Sequence, residues 1–342
     1  VDVDIILEPD LTPSQVVELG TAAERYGIRA VWTSNYFAHW DAFLSLIPLV
    51  QATRRLLVGP LAISPFEMHP LKIANSLLTL NEMSSGRALL AMGAGEGNLD
   101  AMNLKKPEKI VRAVREALEI IIAAGTGGLK KGGYPAGDTF RVNFPCAYDW
   151  LKAPPPFVYG NAYRAQMMKM EARVADGVYI GCVPPEFIGP AMEAVREGAA
   201  KREPGRRALR VNAFWAWHIK KDRKEAYRES TRELPWRARK LDPELCALFL
   251  NPDEVQLVRD RYDAYVAAWF DRSGRPKGIP ESISNRLCEG LTSTGGLEDL
   301  DREIERFRLF GKAGLTEIAL RLHDDPMDAL KIIGERVVPA LR

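Results

Sequence analysis

The chain has 342 residues, 46% of them hydrophobic, enough to bury a large core in one α/β barrel or in two smaller domains. Its 47 basic and 45 acidic residues leave a net charge of +2, which gives no reason to expect a nucleic-acid or membrane partner. No apolar run approaches the roughly 18 residues of a membrane span and no signal peptide is visible, so the default expectation is a cytoplasmic protein.

Cys146, Cys182, Cys246 and Cys288 are scattered and form no CxxC pair, so neither a zinc site nor a disulfide framework is expected. The histidines His39, His69, His218 and His323 show no HExxH spacing, and no metal is expected.

Residues 3–7 (VDIIL) read as the first strand. Thr12 and Pro13 open a helix as its cap and first residue, Val16, Val17, Leu19, Ala22 and Ala23 supply the apolar face, and Gly27 closes it. Residues 30–33 are the second strand, followed by a polar and aromatic loop, Ser34 to Trp40, and a helix over about 41–52. The third strand runs through 56–63. Pro70 then starts a helix in which Ile73, Leu77, Leu78, Leu80 and Met83 recur at helical spacing, and Ser84, Ser85 and Gly86 stop it. The fourth strand, 88–92, ends in Gly93-Ala94-Gly95-Glu96-Gly97, nearly bare backbone that a large flat or phosphorylated ligand can approach closely.

A helix over 109–124 completes four β-α units with short loops, the signature of parallel strands joined by crossovers. The glycine-rich stretch at about 125–150 reads as an insertion. Strands at 157–160, 177–181 and 209–219 follow, with helices at 163–175 and 184–201 between them, and Trp215 and Trp217 on the last strand read as core. Residues 222–296, rich in Arg, Glu and aromatics, form an excursion with helical runs near 224–240 and 253–270. A helix at 300–313, an eighth strand at 316–320 and a terminal helix at 326–341 close the chain. Eight such units fit a single TIM (β/α)8 barrel spanning 1–342, with a doubly wound sheet as the alternative.

In such a barrel function collects where the strands end. That rule ranks Asn35, Tyr36, His39 and Trp40 after the second strand, Leu61, Ala62, Ile63 and Ser64 at the third, and Gly93, Gly95, Glu96 and Asn98 after the fourth. Gly160 and Asn161, then Cys182 and Val183, end the fifth and sixth. Gly93 to Gly97 is not GxGxxG and lacks the Lys-Ser/Thr of a P-loop.

Ala23-Glu24-Arg25-Tyr26-Gly27, Val31-Trp32-Thr33-Ser34, His69-Pro70, Ser84-Ser85-Gly86-Arg87, Gly93-Ala94-Gly95-Glu96 and Ala175-Asp176-Gly177-Val178 resemble the luciferase-like monooxygenase superfamily. The match is closest to its deazaflavin branch, with the methylenetetrahydromethanopterin reductases and the glucose-6-phosphate dehydrogenase that uses coenzyme F420. The resemblance implies a non-prolyl cis peptide near Leu61-Ala62, forming a bulge behind the flavin ring. It implies that Gly160, Asn161, Cys182 and Val183 offer backbone amides to the cofactor's phosphate tail, with Gly93 and Gly95 on the flavin side and Asn35 and Asn98 beside it. Glu96 matches a proton-handling acid and Trp40 an active-site tryptophan, with Ser64 on the substrate side. Where the deazaflavin enzymes carry Asp-His after strand two, this chain has Asn35-Tyr36, so Tyr36 or His39 stands in for the histidine. The implied activity is hydride transfer between coenzyme F420 and a small-molecule substrate, in a homodimer. The alternatives are an FMN-dependent monooxygenase and a non-catalytic flavin-binding protein.

Overall fold

A computed structural model describes every residue except Lys106, Ala136 and Cys182, and every side chain except theirs and those of Glu96, Ala238 and Arg239. The strands are β1 (Asp2–Leu7), β2 (Ala30–Ser34), β3 (Leu57–Leu61), β4 (Leu89–Gly93), β5 (Phe157–Ala162), β6 (Gly177–Ile180), β7 (Arg210–Ile219), β8 (Ser293–Gly295) and β9 (Glu317–Arg321). Their hydrogen-bonded order is β3-β2-β1-β9-β7-β6-β5-β4, and the pairs are parallel. The two ends of that order meet: Val58 N donates to Arg87 O at 3.0 Å, Ile63 N to Ala91 O at 3.0 Å, and Gly93 N to Ile63 O at 3.1 Å. The result is the expected (β/α)8 barrel. β8 stands outside the ring and pairs with the end of β7 at Trp217, His218 and Ile219.

The local signals act as their chemistry requires. Thr12 and Gln15 form a capping box at helix Pro13–Tyr26, and Gly27 ends it at φ 74°, donating to Ala23 O and Glu24 O. Along β7, Val211, Ala213, Trp215, Trp217 and Ile219 join the layer between barrel and helices, while Arg210, Asn212, Phe214 and His218 point inward. Trp215 and Trp217 are therefore core.

The barrel interior is filled from below. Asp4, fully buried, accepts from Arg29 Nε at 2.8 Å, Trp32 Nε1 at 2.9 Å and Asn212 Nδ2 at 2.7 Å. Above it the Trp32 ring meets Tyr159 and Tyr179 edge-on at 5.6 and 5.4 Å. With the lower layers of the interior occupied, the carboxyl ends of the strands are where this fold receives a ligand.

Several segments differ from the sequence reading, among them the excursion's two helical runs, which break at 234–237 and at Arg261. Residues 293–295 are a strand, unmarked by apolar residues because Ser293 and Thr294 are buried through hydrogen bonds to Trp215 Nε1 at 2.9 Å and Ser230 Oγ at 2.8 Å. The loop after β4 winds into a short helix, Glu96–Ala101. The segment at 41–52 is a 3-10 turn, Leu44–Leu46, leading into helix Ile47–Ala52, with Pro48 in the first turn where it forfeits no bond. The terminal helix is broken into Pro326–Ile332, a wider turn over Ile333–Val337, and Val338–Leu341.

Within the excursion, helices Arg223–Glu233, Pro252–Asp260, Tyr262–Phe270 and Glu281–Leu291 share a separate small core of Leu234, Leu245, Tyr265 and Leu287. Among the described residues no helix is long and apolar enough to cross a membrane.

Candidate active site

The peptide bond Leu61-Ala62 is cis, at the carboxyl end of β3. A polar frame surrounds it. Asn35 N donates to Leu61 O at 3.0 Å, and Asn35 Nδ2 reaches Ala62 O at 3.2 Å and Glu67 Oε1 at 2.6 Å. Glu67 also accepts from Ser64 N at 2.8 Å and from Asn98 Nδ2 at 2.8 Å. One carboxylate thus binds β2, the loop after β3 and the helix after β4. The amide NH2 groups of Asn35 and Asn98 face it, which leaves their side-chain oxygens to accept from a ligand.

Gly93 lies inside this frame. A side-chain carbon there would stand 3.3 Å from Asn161 O and 3.7 Å from Ala62 Cβ, so β3, β4 and β5 present a flat surface of backbone and methyl. Gly95 adopts φ +70°, and a Cβ there would lie 2.3 Å from Ser64 Cβ, which only glycine avoids. Ser64 is fully buried, its Oγ donating to Ala94 O at 3.1 Å.

Asn35, Leu61, Ala62, Ser64, Gly93, Gly95, Asn98 and Asn161 are therefore brought together. Gly160 turns its bare side outward, where a Cβ would meet the buried Glu171, and the Val183 side chain is packed in the outer core. What these two can offer inward is backbone. Cys182 and the Glu96 side chain lie outside the described residues. His39 and Trp40 are exposed on the loop after β2, where Trp40 N donates to Pro9 O at 3.3 Å.

Tyr36 leads to a second cluster. Its hydroxyl accepts from Arg321 Nη2 at 3.3 Å, and its ring lies edge-on to His39 at 6.1 Å. Arg321 grips Glu8 through two bonds of 2.6 and 2.8 Å. Burial alone raises the Glu8 carboxyl, but Arg321 and His323 outweigh it and hold Glu8 well below the usual carboxylate range. His323 Nδ1 lies 2.9 Å from Glu8 Oε1, and Arg237 Nη2 donates to His323 Nε2 at 3.1 Å. Fully buried His218 stacks on His323 at 4.7 Å and bonds Glu229 Oε1 through Nδ1 at 2.7 Å. Burial pushes its imidazole down to about 4 despite the pull of Glu229.

A groove of about 640 Å³ lined by Ile110, Arg115, Lys169 and Lys201 lies on the outer helices and shares no residue with either cluster. Among the described residues no group of three His, Cys, Asp or Glu side chains is placed to hold a metal ion.

A luciferase-like monooxygenase family model matches residues 4–317. The chain belongs to that family. It is 25% identical over 338 residues to the 5,10-methylenetetrahydromethanopterin reductase of Archaeoglobus fulgidus, covering 98% of each chain. It is 26% identical over 346 residues to the F420-dependent glucose-6-phosphate dehydrogenase of Nakamurella multipartita, covering 96% of this chain and 93% of that one. In fold it resembles the coenzyme F420 dependent tetrahydromethanopterin reductase of Methanopyrus kandleri, with a TM-score of 0.80 over the whole of both chains at 20% identity.

The sequence reading misses Glu67, Glu8, His218, Arg237, Arg321 and His323. Glu8 directly follows the first strand, and Arg321 and His323 end the last, so the same strand-end rule finds them once applied to β1 and β9. Arg321 and His323 also lie beyond the residues that the family model matches.

Proposed function

We propose that the chain is an oxidoreductase passing hydride between coenzyme F420 and an organic substrate at the carboxyl ends of the barrel strands. The observation that carries this reading is the flat surface at Ala62, Gly93 and Asn161, framed by Asn35, Glu67 and Asn98. The residues fit a planar ring: bare backbone and methyl beneath it, and amide oxygens of Asn35 and Asn98 ready to accept its N–H groups. Support also comes from the relative named as an F420-dependent dehydrogenase, matched over nearly the whole chain.

When bound, the deazaflavin supplies a ring carbon that takes up or returns hydride. An oxidised substrate loses a C–H bond with its electron pair and gives up a hydroxyl proton, and reduction reverses both. We assign that proton to Tyr36: in the reducing direction its hydroxyl donates and leaves a phenolate facing Arg321 Nη2 at 3.3 Å, and in the oxidising direction the phenolate takes the proton back, with His39 beside the ring and Glu96 heading the helix after β4. Backbone amides at Gly160, Asn161, Cys182 and Val183 are assigned to the phosphate tail. Spectroscopic titration with F420 and with FMN tests the reading. Saturable binding of F420 is expected, and saturable binding of FMN alone would overturn it.

A further inference from the structure

We infer that the substrate side of the mouth takes an uncharged, ring-bearing organic molecule and selects against a phosphate or carboxylate group. The inference rests on the proposed reading only in placing the substrate over the Ala62–Gly93 surface.

An anionic substrate needs a cation whose charge is not already balanced. At the ends of β1, β7 and β9, and on the excursion facing them, the described cations with little exposure each lie beside a carboxylate. Arg321 is paired with Glu8 at 2.6 and 2.8 Å, and Lys220 with Glu229 at 2.8 Å. Arg232 lies 2.9 Å from Glu233 and 2.7 Å from Asp324, and Arg237 lies 3.7 Å from Glu233. Among the described residues these four cations meet four carboxylates. A further arginine, Arg272, joins Asp324 at 3.0 Å from the solvent side, its side chain 66% exposed. Arg237 and Arg321 are 2% and 8% exposed: a phosphate reaching Arg321 must displace the Glu8 carboxylate, and one reaching Arg237, whose Nε has no hydrogen-bond partner among the described residues, must open the packing over it. The imidazole of His218 adds no charge at neutral pH, because burial favours its uncharged form.

What remains open is of another kind. Asn35, Tyr36, Ala62, Asn98, Asn161 and Phe214 are half-buried at the inner mouth, and none carries a charge. Glu67, the acid beside them, has its oxygens taken by Asn35, Ser64 and Asn98. On the loop after β2, Phe37 and Trp40 are 62% and 50% exposed, and on the excursion Trp236 is 38% exposed and meets Trp269 edge-on at 5.2 Å. Aromatic faces, one phenol and amides suit a neutral ring with a hydroxyl or carbonyl group.

The test uses two probes with one skeleton, 2-naphthol and 2-naphthyl phosphate, titrated calorimetrically into the full chain at pH 7.5 with and without F420. The neutral probe is expected to bind at least tenfold more tightly. Glu233→Gln, which removes the carboxylate beside Arg237, is expected to narrow that ratio about tenfold. Trp236→Ala, at an exposed position, is expected to weaken naphthol severalfold and leave the phosphate unchanged. Equal or tighter binding of the phosphate, or saturable binding of neither probe, overturns the inference. A naphthol preference in a protein that fails to bind F420 sustains it while removing the cofactor reading, and a phosphate preference with F420 bound does the reverse.

Discussion

Glu67 Oε1 accepts a hydrogen bond from Asn35 Nδ2 at 2.6 Å, and that contact ties the end of β2 to the loop that follows the cis peptide of β3. The same carboxylate takes Ser64 N and Asn98 Nδ2, so three segments depend on one side chain. A hydrogen bond to a charged group contributes about 1.5–3 kcal/mol. Glu67→Ala frees both amides to turn, and we expect F420 affinity to fall at least tenfold while the far-UV circular dichroism stays unchanged.

Glu8 balances Arg321 in a buried setting, and removing one partner leaves the other uncompensated. Glu8→Gln is expected to cost about 3–5 kcal/mol in urea unfolding. The Glu8 carboxyl is depressed in the fold, so its stabilising contribution is present above about pH 4.3, the unfolded value, and disappears as pH falls further. The variant should lack that low-pH part of the stability loss.

His218 acts in the window above. Its imidazole is uncharged in the fold down to about 4, whereas in the unfolded chain it takes a proton below about 6.5. Stability therefore falls as pH drops from about 6.5 toward 4, by on the order of 3 kcal/mol. His218→Gln should flatten urea midpoints across that interval, and a slope unchanged from the parent would contradict the assignment.

Glu171 gives the opposite slope. It is fully buried against Gly160, neither carboxylate oxygen has a hydrogen-bond partner among the described residues, and burial raises its carboxyl well above the usual range. The fold holds it protonated, so stability declines as pH rises beyond about 4.3. Glu171→Gln removes that decline. Its thermal midpoint should exceed the parent's by several degrees at pH 8, with a smaller gap at pH 5.

Much of this was legible in the chain because a parallel barrel writes its strands as short apolar runs, as at Ile5 to Leu7 and Leu89 to Met92. The caps were equally open: Thr12 with Gln15, and Gly27. Ser293 to Gly295 escaped because its burial is paid in hydrogen bonds rather than apolar side chains. Glu67 escaped because a carboxylate in a loop acquires a role only when folding brings Asn35 and Asn98 to it, 32 and 31 residues away in sequence. His218 and His323 lie far apart in sequence and stack because β7 and β9 are neighbours, which no local spacing announces. The cis bond at Leu61-Ala62 came from the family resemblance, since apolar patterning is silent about a single peptide's geometry.

We propose that a deazaflavin lies on the surface at Ala62, Gly93 and Asn161. Gly93→Val fills that surface: the nearest atoms to its Cβ are Asn161 O and Cβ and Ala62 Cβ at 3.3 to 3.7 Å, so the added side chain competes for the space proposed for the ring. F420 titration of the parent and of this variant, with circular dichroism as the check on folding, is the most direct measurement. The parent should bind saturably and the folded variant at least tenfold more weakly. Equal affinity in both, or no binding by the parent, would contradict the account.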